Sequence, residues 1–154
     1  MPTKPARGDY VISTDRNDFD IEAIHAFLTR SYWSPGIPIE IVQQGISNSL
    51  CFGVLRGKEQ VGFARVITDK TTFAYLSDVY VLEPHRGQGL SKWLMQTILA
   101  HPELQGLRRF ILATNDAHGL YKQFGFKEPA HPERLMERVQ FNPYQAPSPE
   151  EQRI

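Results

Sequence analysis

The sequence contains one cysteine, no long hydrophobic run and no excess of either charge. Because Cys51 stands alone, an internal disulfide and a cysteine-based metal cluster are excluded. Cys51 lies in the apolar run LCFGVL, so we expect a buried, inert thiol rather than a nucleophile. The 17 lysines and arginines balance the 17 aspartates and glutamates. The charge therefore gives no reason to expect nucleic acid or an anionic membrane as a partner.

The chain also lacks a segment that could address it to a membrane. No stretch is long enough to span a bilayer, and the first ten residues have no apolar core of a signal peptide, so we expect a cytoplasmic protein. The five histidines show no ligand spacing, which predicts no metal site. We place one folded domain at residues 9–141, between a flexible N-terminus over 1–8 and a flexible, proline-rich tail over 142–154.

The hydrophobic pattern predicts two helices, an antiparallel meander, and then alternating strands and helices. This order is a three-layer α/β plan, with a mixed, mostly antiparallel central sheet flanked by helices. The predicted strands are 10–13, 50–55, 61–68, 71–82, 109–114 and 135–141. The predicted helices start after Asp18 or Asp20, after Pro38, at Leu90 and at Ala117.

One junction, HRGQGLSKWL at residues 85–94, carries the first functional signal. Helix starts have unpaired N–H groups and a partial positive charge, and glycines let a phosphate approach such a backbone closely. Gly87 and Gly89 stand where the helix begins, and Arg86 adds a permanent cation. We therefore predict an anion-binding helix start. GQGLSK lacks the glycine, four-residue spacer and Gly-Lys-Ser/Thr of a Walker loop. A dinucleotide-binding loop is excluded because Lys92 occupies the position of its third glycine.

Two motifs in order resemble the GNAT N-acetyltransferase superfamily over about residues 61–126. DVYVLEPHRGQGLS resembles its acetyl-coenzyme A site, and TNDAHGLYKQFGF resembles its second signature. Ser91 departs from the usual glycine or alanine but is small enough for the cofactor. The resemblance implies a three-layer GNAT-like fold and direct acetyl transfer from acetyl-CoA to an amine, without a metal. The cofactor-binding residues that it implies are Val79, Tyr80, Val81, Arg86, Gly87, Gln88, Gly89, Leu90, Ser91, Asn115 and Tyr121.

The resemblance also implies catalytic roles. Tyr121 matches the tyrosine of the second motif, and its phenol could protonate the departing thiolate. The alternative is a tyrosine that packs against Phe124 and Phe126. Asn115 would hold the pantetheine arm or cap the following helix. An N–H freed by a bulge around residues 79–81 would stabilise the oxyanion.

Asp78 is the candidate general base, because an unpaired carboxylate in an apolar strand would be costly without a function. The alternative is an aspartate paired with backbone or with an arginine. If Asp69–Lys70 is a two-residue turn, strict alternation puts Arg65 on the same sheet face as Asp78, though not directly opposite, and a bulge would upset that register. Tyr75 and Ser77 could act instead through a bound water.

The segment SYWSPGIPIE is expected to line the acceptor site. Tyr32 and Trp33 would form an aromatic wall, and Asp78 would lie near the amine. Glu40 could attract a cationic amine. The alternatives are that the two aromatic residues pack in the core and that Glu40 is a solvated helix residue. We expect a small-molecule amine as acceptor. A protein lysine or N-terminus, and a non-catalytic acyl-CoA-binding module, stay open, as does a homodimer.

Overall fold

The computed structural model describes residues 4–141, 143 and 144, and it is built around a six-stranded sheet. The strands lie side by side in chain order, with every neighbouring pair antiparallel except the parallel pair β5 and β6. The mixed, mostly antiparallel sheet is therefore confirmed. The strands are β1 (Ala6–Arg7), β2 (Tyr10–Ser13), β3 (Leu50–Arg56), β4 (Glu59–Thr68), β5 (Phe73–Val81) and β6 (Arg109–Leu112).

Helices cover both faces of the sheet and complete three layers. The first pair, α1 (Ile21–Leu28) and α2 (Ile39–Ser47), packs its apolar side chains against Phe63 and Tyr80 on one face. The second pair, α3 (Leu90–Ala100) and α4 (His118–Lys122), contributes Leu94, Met95, Ile98 and Tyr121 to a larger core on the other face. Each helix thus buries one apolar stripe, as the helical period of the sequence predicts.

Local capping explains where the helices begin. The Asp20 carboxylate accepts the N–H of Ala23 at 3.0 Å and caps α1, and Pro38 immediately precedes α2. Neither Asn115 nor Asp116 caps α4. Instead, the Thr114 hydroxyl accepts the N–H of Ala117 at 3.0 Å, so Asn115 is left out of the capping role.

Strand β5 contains an irregularity at its centre. Phe63 of β4 pairs with Tyr80, but Arg65 pairs with Ser77, so β5 has one more residue than β4 in this interval. Asp78 takes up the difference with φ +55°, in the left-handed region that few non-glycine residues adopt. This is a β-bulge, located at the N-terminal side of the interval where the sequence led us to expect one.

The bulge lies beside the point where β5 and β6 separate. The parallel pairing runs from Phe73 with Arg109 to Leu76 with Leu112, and then β6 ends while β5 continues to Val81. The two strands therefore leave a gap between them, bounded by the end of β5, the loop after β6 and α4.

The strand predicted over 135–141 is wrong. Beyond a 3-10 turn at Pro132–Arg134 this segment forms no strand, and Met136 is 97% exposed. A strand must pair with an edge of a sheet, and residues 135–141 pair with no other described residues.

The chain ends also bear on the predicted domain limits. Ala6 and Arg7 pair with Val11 and Tyr10, so the sheet begins within the N-terminal segment that we expected to be flexible. Residues 1–3, 142 and 145–154 of the two predicted flexible ends lie outside the described residues. The division into domain and flexible ends stays a prediction.

Candidate active site

A cavity of about 430 Å³ occupies the gap between β5 and β6. Its walls combine the bulge of β5, the loop after β6, the first turn of α3, and α4 with the α1–α2 loop. Six aromatic side chains line it, which makes its surface mainly apolar with a few polar groups. These aromatic residues are Phe27, Tyr32, Trp33, Tyr75, Tyr80 and Tyr121.

We call the loop at residues 86–91, where α3 begins, the glycine cradle. Gly87 and Gly89 adopt φ +83° and +81°, and Gly89 is the N-cap residue without a side-chain cap. A Cβ at Gly87 would meet no atom within 4 Å, so the space beside it is open. The positive φ values therefore favour glycine at both positions, and the open space beside Gly87 leaves room for a ligand. Arg86 and Ser91, on either side, both line the cavity.

Side chains beneath this loop hold its shape. The Gln88 amide donates to the Tyr10 hydroxyl at 3.0 Å and to the His85 carbonyl at 3.1 Å. His85 is buried, and its Nδ1 lies 2.8 Å from the same hydroxyl. Arg7 of β1 donates to the Gly89 carbonyl at 3.2 Å. The Gln88 side chain therefore serves the loop itself, and only its backbone could serve a ligand.

Other predicted cofactor residues also contribute mainly through backbone. Leu90 is buried in the core, so its N–H alone faces the helix start. The Arg86 Nε donates to the Val81 carbonyl at 2.7 Å, which ties the loop to the end of β5. The remaining N–H groups of this guanidinium have no partner among the residues described.

Tyr121 points its hydroxyl into the cavity. Its ring is buried edge-on against Phe126, with centroids 6.0 Å apart. No described group forms a hydrogen bond with this hydroxyl. Every fully buried side-chain oxygen among the described residues does have a partner, so the Tyr121 hydroxyl is not fully buried and reaches open space. Burial raises the pKa of Tyr121 to about 12. The phenol is therefore a neutral hydrogen-bond donor across the physiological pH range.

Asp78 is paired, as the alternative in the sequence reasoning anticipated. One carboxylate oxygen accepts from Arg65 Nε at 2.8 Å and the other from Trp33 Nε1 at 2.9 Å. The side chain is 10% exposed and also borders a second cavity, of about 330 Å³, beside α2. The bulge brings about this contact. Arg65 pairs with Ser77, so in a regular strand the next residue, Asp78, would point to the opposite face of the sheet.

The α1–α2 loop bridges from β5 to the loop after β6, on either side of the cavity. Trp33 reaches Asp78 on β5, and the Tyr32 hydroxyl accepts the N–H of Asn115 after β6 at 3.3 Å. The two rings meet edge to face with centroids 5.0 Å apart. Tyr32 and Trp33 thus stand where the sequence predicted an aromatic wall. Glu40 is exposed and does not line the cavity.

Sequence reasoning missed two residues of this site. Phe27 stacks on Tyr80 with ring centroids 3.9 Å apart and lines the cavity, although an apolar residue on an amphipathic helix is usually only a core residue. Thr114 shapes the loop before α4; a threonine three residues ahead of a helix was the available signal.

Three further observations concern the chemistry available elsewhere. Cys51 is buried, as the sequence predicts, and burial raises the pKa of its thiol to about 12. The described positions contain no group of three or more side chains that could hold a metal ion. None of the helices formed by these residues is long and apolar enough to cross a membrane.

Comparison with known proteins defines the class of enzyme. The profile of the Acetyltransferase (GNAT) family matches residues 17–126, which include both sheet faces and the whole cavity. This chain therefore belongs to the GNAT acetyltransferase family, and it is an acyltransferase of that family.

Individual relatives agree with this assignment. FG08082 of Gibberella zeae, provisionally named an acetyltransferase, is 36% identical and matches 82% of this chain and 85% of its own. A GNAT-family crystal structure from Xanthomonas campestris pv. campestris (xcc2953), also provisionally named an acetyltransferase, is 50% identical, with a TM-score of 0.87 over 94% of this chain and all of that one. A GNAT acetyltransferase of Elizabethkingia anophelis with acetyl-CoA bound shares the fold at 14% identity, with a TM-score of 0.61 over 88% of this chain and 91% of that one.

Proposed function

We propose that this enzyme transfers the acetyl group of acetyl-CoA directly to the primary amine of a small molecule. The observation that carries the proposal is one cavity that brings together Arg86 and Ser91, which flank the glycines of the glycine cradle, with the β5 bulge, Tyr121 and an aromatic wall. The bound acetyl-CoA of the Elizabethkingia relative supports the choice of donor. A cytoplasmic location stays part of the proposal.

The start of α3 suits the phosphates of the donor. The left-handed glycines open the backbone, the N–H groups of residues 88–91 lie at the positive end of an eleven-residue helix, and Arg86 keeps free donors beside them. Ser91 adds a hydroxyl at the mouth of the cavity. The end of β5, over residues 79–81, and Asn115 face each other across the gap and would hold the arm that carries the thioester.

Acetyl-CoA supplies an acetyl thioester, a carbonyl with a thiolate leaving group. At the β5 bulge, one N–H of the extra residue is released from the ladder and can donate to the carbonyl oxygen as negative charge develops there. Tyr121 donates its phenolic proton to the departing sulfur. A phenol with a pKa raised to about 12 carries that proton at any pH at which the protein works.

Asp78 belongs to the acceptor side of this mechanism. A carboxylate has about four acceptor positions, and the contacts with Arg65 and Trp33 use two of them. The remaining acceptor positions of Asp78 suit the binding of an ammonium group. The proton of the amine would then leave through water held by Tyr75 and Ser77, which line the same wall.

The bridge that Tyr32 and Trp33 form across the cavity favours a small acceptor over a protein acceptor. Tyr32 and Trp33 bridge from the α1–α2 loop to both strands, which narrows the opening that a lysine on a folded surface would have to enter. Aromatic ring faces also attract an ammonium group. A cationic amine with an apolar or aromatic body fits these walls.

The experiment is a screen of thiol release from acetyl-CoA. We expect turnover with small arylalkyl or alkyl amines and little turnover with lysine peptides or protein N-termini. Faster turnover with peptides would favour the protein acetyltransferase. Tight acetyl-CoA binding without turnover on any amine would favour a non-catalytic acyl-CoA-binding module.

A further inference from the structure

The second cavity shares a wall with the cavity of the active site. It has a volume of about 330 Å³ and is lined by residues of α2 and β4. Asp78 lines both cavities, whereas Arg65 lines only the second. These two are the charged residues among the described ones that line it, and its other polar side chains include Gln44 and Asn48. No step of the proposed mechanism uses this cavity.

Three contacts hold the guanidinium of Arg65 in the wall of the second cavity. Its Nε donates to Asp78 at 2.8 Å, and its Nη1 donates to the Ser49 hydroxyl at 3.2 Å. The same group packs against α2 at Gly45, where a Cβ would lie 3.5 Å from Nη1 and 3.6 Å from Cζ. A side chain held in this way is already oriented for a ligand, so little rotational freedom is lost on binding.

The remaining end of this guanidinium is open. Nη2 carries two N–H groups and has no hydrogen-bond partner among the described residues. Every fully buried side-chain nitrogen of those residues does have a partner, so Nη2 reaches open space. Because Arg65 lines the second cavity and not the first, that space belongs to the second cavity. Free guanidinium N–H groups are well suited to a carboxylate.

Charge favours an acceptor that brings an anionic group of its own. Asp78 binds the ammonium group in the proposed function, on which the present inference rests. A plain amine would leave one positive charge uncompensated beside Arg65 and Asp78, whose side chains are only 21% and 10% exposed. An uncompensated charge is costly at such a site. A carboxylate on the acceptor would complete two pairs of opposite charges, one on each residue.

The spacing of the two charges indicates which amine this is. Arg65 and Asp78 are in direct contact at 2.8 Å, and the ammonium and carboxylate groups of an α-amino acid are likewise neighbours on one carbon atom. We propose that the acceptor is an α-amino acid, with its ammonium group on Asp78, its carboxylate on Nη2 of Arg65 and an apolar side chain along the wall of Tyr32 and Trp33.

The reaction is the acetyl transfer of the proposed function. The α-amine forms a C–N bond with the acetyl group, and the C–S bond of the thioester breaks. The ammonium group loses two protons to water, while Tyr121 gives one proton to the sulfur and recovers one from water. The products are an N-acetyl amino acid, coenzyme A and one released proton.

The test compares pairs of amines that differ only in the carboxylate. Thiol release from acetyl-CoA is measured with leucine and 3-methylbutylamine, and with phenylalanine and 2-phenylethylamine. We expect KM to be about tenfold lower, or lower still, for the amino acid of each pair, because charge-assisted hydrogen bonds to Arg65 are gained. This comparison uses the wild-type enzyme and needs no variant.

Arg65→Lys keeps a positive charge beside Asp78 but removes Nη2. It should raise KM for leucine about tenfold and reduce the preference over 3-methylbutylamine to about twofold or less. Arg108→Lys is the matched control, because it makes the same change at an exposed arginine that lines neither cavity. This control should keep the wild-type preference.

Two results would overturn the inference and leave the proposed function intact. One is a wild-type enzyme that acetylates the plain amines with a KM equal to or below that of the amino acids. The other is an Arg65→Lys enzyme that keeps the full preference for leucine. Absence of turnover with all four compounds would contradict the proposed function itself and the inference with it.

Discussion

Replacing Tyr121 by phenylalanine should separate catalysis from packing. The change removes only the hydroxyl that opens on the cavity and keeps the ring against Phe126. General acid catalysis contributes about 100-fold or more, so we expect kcat to fall by that factor. This loss corresponds to about 2.7 kcal/mol of transition-state stabilisation. Coenzyme A affinity should hardly change, because the acid acts only as the sulfur departs.

Stability provides the control for this experiment. Because no described group bonds to the hydroxyl, Tyr121→Phe should change the free energy of unfolding by no more than about 0.5 kcal/mol. Tyr121→Leu also removes the buried ring and its edge-to-face contact, and should lower that free energy by about 2 kcal/mol. Thermal or urea unfolding measures both values.

The pH dependence gives a second check. A phenol with a pKa raised to about 12 is protonated well above neutral pH, so Tyr121 should cause no fall in kcat between pH 7 and pH 10. Any rise with pH in that range would come from deprotonation of the acceptor amine. Wild-type kcat and an unaltered pH–rate profile in Tyr121→Phe would refute the role of proton donor and leave a packing residue.

Three further variants test the loop, the acceptor side and a turn. Gly89→Val forces a β-branched residue into φ +81° and should raise the Kd for coenzyme A, measured by calorimetry, about tenfold. The control Gly57→Val, at φ +61° in a distant turn, should strain the fold but leave this Kd unchanged. Asp78→Asn should raise KM for the amine more than it lowers kcat, and a changed kcat alone would argue for a base instead. Asp69→Ala should destabilise the protein at pH 7, because hydrogen bonds from Thr72 and neighbouring N–H groups hold the carboxyl pKa below its usual 3.8. That contribution is present above pH 3.8 and is lost as the pH falls further, so the gap between wild type and variant should close in acid unfolding curves.

Most of the fold followed from local patterns. The spacing of apolar residues predicted four helices and five of the six strands, and Asp20 and Pro38 marked two helix starts that the structure confirms. Only the two-residue strand β1 was missed, since two residues carry no period. The strand predicted over 135–141 fails because strand formation depends on an edge elsewhere in the molecule.

For the candidate site, too, sequence reasoning succeeded where the residues concerned are neighbours in the chain and failed where they are distant in it. Residues 86–91 predict an anion-binding helix start from the sequence alone, because two glycines, the cation and the helix start are neighbours in the chain. The structure shows both glycines in the left-handed region, and phosphate binding there stays a prediction. Only tertiary structure decided that Asp78 pairs with Arg65 and Trp33 and that Tyr32 spans to the loop after β6. Those contacts join residues 13 to 83 positions apart. The contact between Asp78 and Arg65 also depends on the position of one bulge, which a regular alternation of side chains cannot reveal.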